Sequence, residues 1–199
     1  MQLEPSSDID YRMDKRKEAL LAALKDADED VRKAAAEALE KLEARDRLEM
    51  LSRKVGSGEM LEKVRVIYAL SELKGAKIAE LLSAALNDQA EDVRAAAARA
   101  LGALGDPSTL PALVEALKDQ SPIVVRAVVE SMTLFKDSRL LGPLVQAMKH
   151  QDSGVVERAL EAVSKIGDKR AEEALLYFAT KGNPRMRSLA LRGLGVMDR

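Results

Sequence analysis

The sequence predicts an all-α chain, an α-solenoid of about six two-helix units. Three observations carry that reading: a leucine column at a constant step, helix stops and caps that keep the same step, and a composition poor in sheet-forming residues. Leu20, Leu51, Leu82, Leu113, Leu144 and Leu175 recur every 31 residues without a gap. Self-similarity of that period marks stacked supersecondary units, each unable to bury its apolar face alone. Hydrophobic residues make up 47% of the chain, charged ones 33% and aromatic ones 3%, with Ala, Leu, Glu, Lys and Arg dominant. Such a chain favours close-packed helices over sheet.

Residues 1–12, with Pro5, Ser6, Ser7, Asp8 and Asp10, read as an extended lead-in, and 13–199 as one repeat domain. The pairs are expected at approximately 13–43, 45–74, 76–104, 107–136, 138–167 and 169–197. The clearest copy runs from Val93 to Leu117. Val93, Ala97, Ala100, Leu101 and Leu104 share one helical face, Gly105 supplies a stop, and Asp106-Pro107 supplies a cap and a first-turn proline. Leu110, Leu113, Val114 and Leu117 then stripe the returning helix before Ser121-Pro122 opens the next. Asp137, Asp152, Asp168 and Asn183-Pro184 open later helices in step.

Three more columns follow the register. Leu39, Leu70, Leu101, Met132, Val163 and Leu194 stay apolar, as do Ala36, Ile67, Ala98, Val129, Leu160 and Leu191. Ala38, Ala69, Ala100, Ser131, Ala162 and Gly193 stay small, as close helix approach requires. Two departures stand out. Glu62 occupies a valine column, which suggests a two-residue slip in which Val64-Arg65 replaces Val93-Arg94. Leu42 to Asp46 lacks Gly and Pro, so the helices joined there are expected to run on.

A D-x-x-V-R opening, an Ala-rich helix, L-G-D-P and a Leu-rich helix together resemble the short bacterial HEAT-like repeat named after phycobilin lyase subunits. Residues 28–42 (DEDVRKAAAEALEKL) and 92–117 carry the resemblance best, with weaker matches in GDKRAEEALL (167–176) and NPRMRSLALRGLG (183–195). The resemblance implies a right-handed superhelix of armadillo-like helical type, with a concave surface lined by second helices where partners bind. It also implies an Asp–Arg ladder tying turns of adjacent repeats, with Arg32, Arg94 and Arg187 opening second helices and Asp26 and Asp88 six residues earlier. Val125 and Val156 interrupt that ladder.

Catalytic chemistry finds little support. Cysteine is absent, which removes thiolate nucleophiles and ligands, and His150 is the lone histidine, expected as a surface cap at a helix end. The iron-holding His-Glu pairs of HEAT-repeat deoxyhypusine hydroxylases are missing, as are phosphate loops and nucleophile elbows. No catalytic, cofactor or metal residue is expected, and no cofactor. The absence of a signal-like or long apolar run makes a cytoplasmic protein the default expectation.

What remains is a surface. The second helices expose a column of Glu37, Tyr68, Arg99, Glu130, Glu161 and Arg192, flanked by Lys33, Arg126, Glu157 and Arg158. Tyr68, Arg99, Arg126, Glu130, Arg158, Glu161 and Arg192 are the candidate partner-binding residues, Tyr and Arg being enriched at hot spots. The expected function is a non-catalytic scaffold holding a protein or peptide on the concave face. An accessory role in chromophore attachment is the alternative that the resemblance implies. Nucleic-acid binding ranks below both: the net charge is −1, although Lys181, Arg185, Arg187, Arg192 and Arg199 gather near one end. The apolar Leu194 and Met197 in the last copy suggest self-association through the C-terminal repeat.

Overall fold

The computed structural model describes residues 7–135 and 137–197, with side chains from residue 15 onward. Eleven α-helices account for most of these residues, and no strand occurs among them. In chain order they are α1 (Ser7–Ala23), α2 (Glu29–Ser57), α3 (Met60–Ser71), α4 (Ala76–Ala85), α5 (Glu91–Leu104), α6 (Leu110–Ala116), α7 (Pro122–Met132), α8 (Leu141–Ala147), α9 (Ser153–Ile166), α10 (Glu172–Lys181) and α11 (Pro184–Val196). A 3₁₀ turn precedes each of α6, α8 and α10. The second helices of the six pairs begin at residues 29, 60, 91, 122, 153 and 184, each 31 after the last.

The chain departs from expectation at three places. Residues 7–12, read as extended, belong to α1, and residues 1–6 lie outside the described part. The run from Tyr11 to Leu21 is rich in Met, Lys, Arg, Glu, Ala and Leu, whose helix propensity carries the helix back past Pro5's reach. The pair boundary expected at 43–45 is absent, and the run-on expected of a join without Gly or Pro is complete: α2 continues unbroken for 29 residues through the first two copies. No turn residue stands there to stop it, and Gly56 and Ser57 are still helical. The two-residue slip is absent: α3 starts in register, Arg65 is exposed, and Lys63 takes the position of Arg94. Glu62 is held where valine stood elsewhere by an ion pair, Lys54 Nζ to Glu62 Oε1 at 2.8 Å.

Contacts divide the chain into two compact units that meet between Arg53 and Lys54, inside α2. The first has a thin core: Ala35 is buried, while Leu20, Leu24, Leu39 and Leu42 are half-buried and Leu21 and Val31 exposed. The second is layered. Second helices α3, α5, α7, α9 and α11 pack in series, and α4, α6, α8 and α10 lie against their own partners. Leu82, Leu113, Leu144 and Leu175 from the first-helix layer are wholly buried, as are Ile67, Ala98, Val129 and Leu160 from the second. Burying such aliphatic side chains contributes about 1.5–3 kcal/mol each for Val, Leu and Ile, which is why the columns hold.

Turn chemistry sets the step. Gly105 (φ 65°) and Gly167 (φ 68°) end α5 and α9 in the left-handed conformation that glycine adopts freely. Asp106, Asp137 and Asp168 each accept an amide N–H two residues on and open the 3₁₀ turns. Asp152 and Asn183 cap α9 and α11 by accepting the amides of Val155 and Met186. Ser121 stands at the cap position of α7 but makes no such bond, its hydroxyl instead donating to Glu91.

Candidate functional site

Two residue systems run along the second-helix layer, one tying repeats together and one facing outward. The tying system is a ladder. Arg94, at the start of α5, donates from Nη1 to the carbonyls of Asp88 (2.9 Å) and Gln89 (3.0 Å) in its own turn. Its Nε and Nη2 form a two-pronged bond to Asp119, 25 residues on, at 2.6 and 3.0 Å. Lys63 reaches Asp88 over the same separation at 2.7 Å. Both aspartates also accept the amide two residues later, from Ala90 and Ser121. Burial pushes each carboxyl upward, but the cation and amide bonds outweigh it and leave both Asp88 and Asp119 below the usual carboxylate range. The Asp119 bond in turn raises Arg94.

The ladder lapses where both its members change. The cation column reads Arg32, Lys63, Arg94, Val125, Val156, Arg187, and the aspartate column Asp26, Ser57, Asp88, Asp119, His150, Lys181. Val125 would face His150 and Val156 would face Lys181, so neither apolar residue leaves a carboxylate orphaned. His150, expected at the surface, is half-buried, and its Nδ1 accepts the amide of Asp152 at 3.0 Å. It thus closes the same turn that Asp88 and Asp119 close. Arg187 donates to the carbonyl of Gly182, and Arg32 to those of Asp26 and Ala27. These arginines are structural pins, with their carbonyl partners in their own turns.

The outward system contains the candidate residues. Glu37, Tyr68, Arg99, Glu130 and Arg192 are exposed and Glu161 is half-exposed, with Lys33, Arg126 and Arg158 exposed and Glu157 half-exposed beside them. Five of the seven partner-binding candidates, Arg99, Arg126, Glu130, Arg158 and Glu161, line one groove of about 330 Å³ across α5, α7, α9 and α11. Tyr68, on α3, and Arg192, on α11, lie outside it.

Six further residues line the groove, among them Ile123, Gly154, Arg185 and Leu189. Ile123, Gly154 and Arg185 share one column, one residue past the start of each second helix. The three copies place an apolar residue, a glycine and an arginine there, so no shared chemistry marks the column in the sequence. Gly154 matters for space: a Cβ there would lie 3.1 Å from both Arg126 Cδ and Asp152 Oδ1. Its bare backbone lets the Arg126 side chain lie across α9.

Charge in the groove is uneven. Glu157 is held by Arg185 at 3.0 Å, and Glu161 by Lys165 at 2.9 Å, a bond that lowers its carboxyl. Arg158 lies 4.0 Å from both Glu130 and Glu161. Arg126 donates to the Pro122 carbonyl at 3.2 Å and sits 3.9 Å from Asp152. Arg99 has no hydrogen-bond or ion-pair partner among the described residues. Within the basic end of the sequence, Arg185 is paired with Glu157, and Arg199 lies outside the described residues.

The last helix pair presents a different surface. Leu191 is 59% exposed in a column otherwise buried through the unit, and Leu176, Tyr177 and Val196 are exposed with it. Tyr177 and Phe178 meet edge to face at 5.2 Å between ring centroids. Among the described residues no group of three or more His, Asp or Glu side chains converges as a metal site, and no helix is long and apolar enough to cross a membrane.

Comparison with known proteins agrees with this architecture. A model of HEAT repeats matches residues 60–133 and 111–195, and a single HEAT repeat matches 18–43. No curated protein matches in sequence. Among solved structures, the complex of CpcE and CpcF of phycocyanin lyase from Nostoc sp. PCC7120 aligns with a TM-score of 0.65 at 23% identity, over 75% of this chain and 64% of that chain. The chain therefore spans less than two thirds of that relative's length. YibA of E. coli aligns at 0.61 and 20% identity, over 98% of this chain and 77% of the other. A designed armadillo repeat protein in complex with the peptide (KR)4 aligns at 0.56 and 17%, over 90% and 98%.

Proposed function

Because the chain belongs to the HEAT repeat family, we propose that it is a non-catalytic scaffold whose second-helix face, from Lys54 onward, holds a protein or peptide. One observation carries this reading: five candidate residues from three successive second helices open onto one groove, and Arg99 among them is without a partner among the described residues. A solenoid presents such a face as an extended strip, on which a partner is gripped by several repeats at once. Arginine with adjacent apolar surface, here Ile123 and Leu189, is the composition that dominates interface energetics.

The designed armadillo protein's complex with a peptide supports the reading as a use of the same architecture. An accessory role in chromophore attachment rests on the likeness to the phycocyanin lyase, which at 23% identity is a likeness of fold alone. The scaffold reading is tested by affinity capture with the intact chain and with an R99E/R158E variant. Partners retained by the first and lost by the second, with unchanged helical content and melting, are the expected result. Identical retention by both would move the binding surface elsewhere.

A further inference from the structure

We propose that the α5–α7 end of this face selects an acidic peptide segment, with carboxylates on Arg99 and Arg126 and an apolar neighbour on Ile123. The proposal rests on the scaffold reading and adds the partner's chemistry to it.

At the α9–α11 end each carboxylate already faces a cation: Glu157 has Arg185, and Glu161 has Lys165. Glu130 has Arg158 at 4.0 Å. The groups still open are donors, and they gather at the other end. Arg99 has no partner among the described residues. Arg126 commits Nε to one backbone carbonyl, and its only carboxylate neighbour is at 3.9 Å. Tyr68 stands one repeat before Arg99 in the same column, 47% exposed, on α3, which packs against α5. Neighbouring second helices are spaced about 8–10 Å apart. An extended segment crossing them can therefore offer one acidic side chain per helix to Arg99 and Arg126. Arginine forks donate to carboxylates in two-pronged geometry, a selectivity lysine lacks.

Ile123 supplies the apolar component. It is 43% exposed beside Arg126, at a position where the next repeat has glycine and the one after it arginine. A basic segment would meet the Arg99 guanidinium, which has no partner among the described residues, and the Arg126 guanidinium, whose ion pair with Asp152 is long at 3.9 Å, a like-charge juxtaposition that rejects wrong partners.

Fluorescence anisotropy of the full chain with three labelled peptides tests this: alternating Glu-Leu, alternating Lys-Leu and alternating Ser-Leu. The expected result is binding of the Glu-Leu peptide at least about tenfold tighter than the Lys-Leu peptide at low salt, with the preference falling as salt rises. An R99E/R126E variant should reverse the preference. An R45E/R47E variant, which changes net charge equally on the exposed surface of α2, should keep it. Equal effects of the two variants, preference for the Lys-Leu or Ser-Leu peptide, or no binding of any of the three would overturn the proposal. Preference for a neutral or basic peptide that R99E/R158E abolishes would leave the scaffold reading standing while removing the acidic one.

Discussion

Arg94 and Arg99 lie five residues apart on the same helix and do opposite work. Arg94 is mostly buried, its side chain 17% exposed and that of its partner Asp119 9% exposed. It spends its donors on two carbonyls and one carboxylate, whereas Arg99 spends none. Replacing Arg94 with Met should lower the unfolding free energy by about 2–4 kcal/mol, since it strands a nearly buried carboxylate and two carbonyls. The pH dependence fixes the mechanism. Asp88 and Asp119 have folded-state values below their unfolded reference of 3.8. Their stabilisation is therefore complete above that reference and is lost as pH falls through the lower folded value. Urea midpoints followed from neutral pH into acid should fall for the native chain and fall less steeply for Arg94→Met, because Asp119 has then lost its cation. Parallel acid limbs would place the sensitivity elsewhere, for instance at Asp168, which the Arg170 guanidinium and amide hold at about 2. The resemblance implies an Asp–Arg ladder between turns of adjacent repeats, and Arg94–Asp119 is such a tie, but the sequence draws the eye to the aspartate six residues before Arg32 and Arg94. The ladder's carboxylate bonds instead span 25 residues, since the six-residue relation is met through backbone carbonyls. Only the fold shows which of two aspartates faces an arginine.

At the scale of the helix, small residues decide how closely second helices approach. Ser131 donates to the carbonyls of Ala98 at 2.6 Å, on the preceding second helix, and of Ala127 at 2.8 Å. Ser164 ties α9 to the following second helix instead, donating to the carbonyl of Leu189 at 3.1 Å. Opposite them, a Cβ on Gly102 would fall 2.8 Å from Ser131 Cβ and 2.9 Å from its Cα. A backbone atom cannot yield as a flexible side chain does. Gly102→Ala should therefore destabilise by about 1–3 kcal/mol, as overpacked cores do. Gly142→Ala, on α8 where a Cβ meets nothing within 4 Å, should be neutral or stabilising by up to about 1 kcal/mol. Thermal melts of the two variants separate close approach from helix propensity, and equal shifts would show that the α5–α7 spacing is slack. The column of small residues was readable from sequence as a volume constraint. That its serine would be a hydrogen-bonding tie was not, because the acceptor carbonyl belongs to another repeat.

Across the whole molecule, periodicity and burial rise and fall together. From α3 to α9 the expected apolar columns are filled and buried, the small-residue column is buried from Ala100 to Ala162 while Ala69 is exposed, and the 31-residue step alone places every second helix correctly. Where burial is thin, in the first unit, local propensity takes over and two expected helices become one. The groove shows the same division. Its charged wall follows from an exposed column repeated at a constant step. Its floor and mouth depend on Gly154 and Ile123, where copies differ and where no period could announce a role. A repeat array is legible in what its copies share, and its surface is written in what they do not.

The unbroken α2 has a consequence for how the chain can be cut. Proteases need a segment that can be drawn out into an extended strand, and hydrogen-bonded helix resists this even when its side chains are exposed. Arg45, Arg47 and Arg53 are all exposed, yet each lies inside α2. Lys25 sits in the turn before that helix and Lys74 in the turn after α3. Brief trypsin treatment followed by mass spectrometry should release ends at Lys25 and Lys74 before any at Arg45, Arg47 or Arg53. The seam between the first two repeats is thus the one place where the tandem pattern offers a scissile arginine and the fold withholds it.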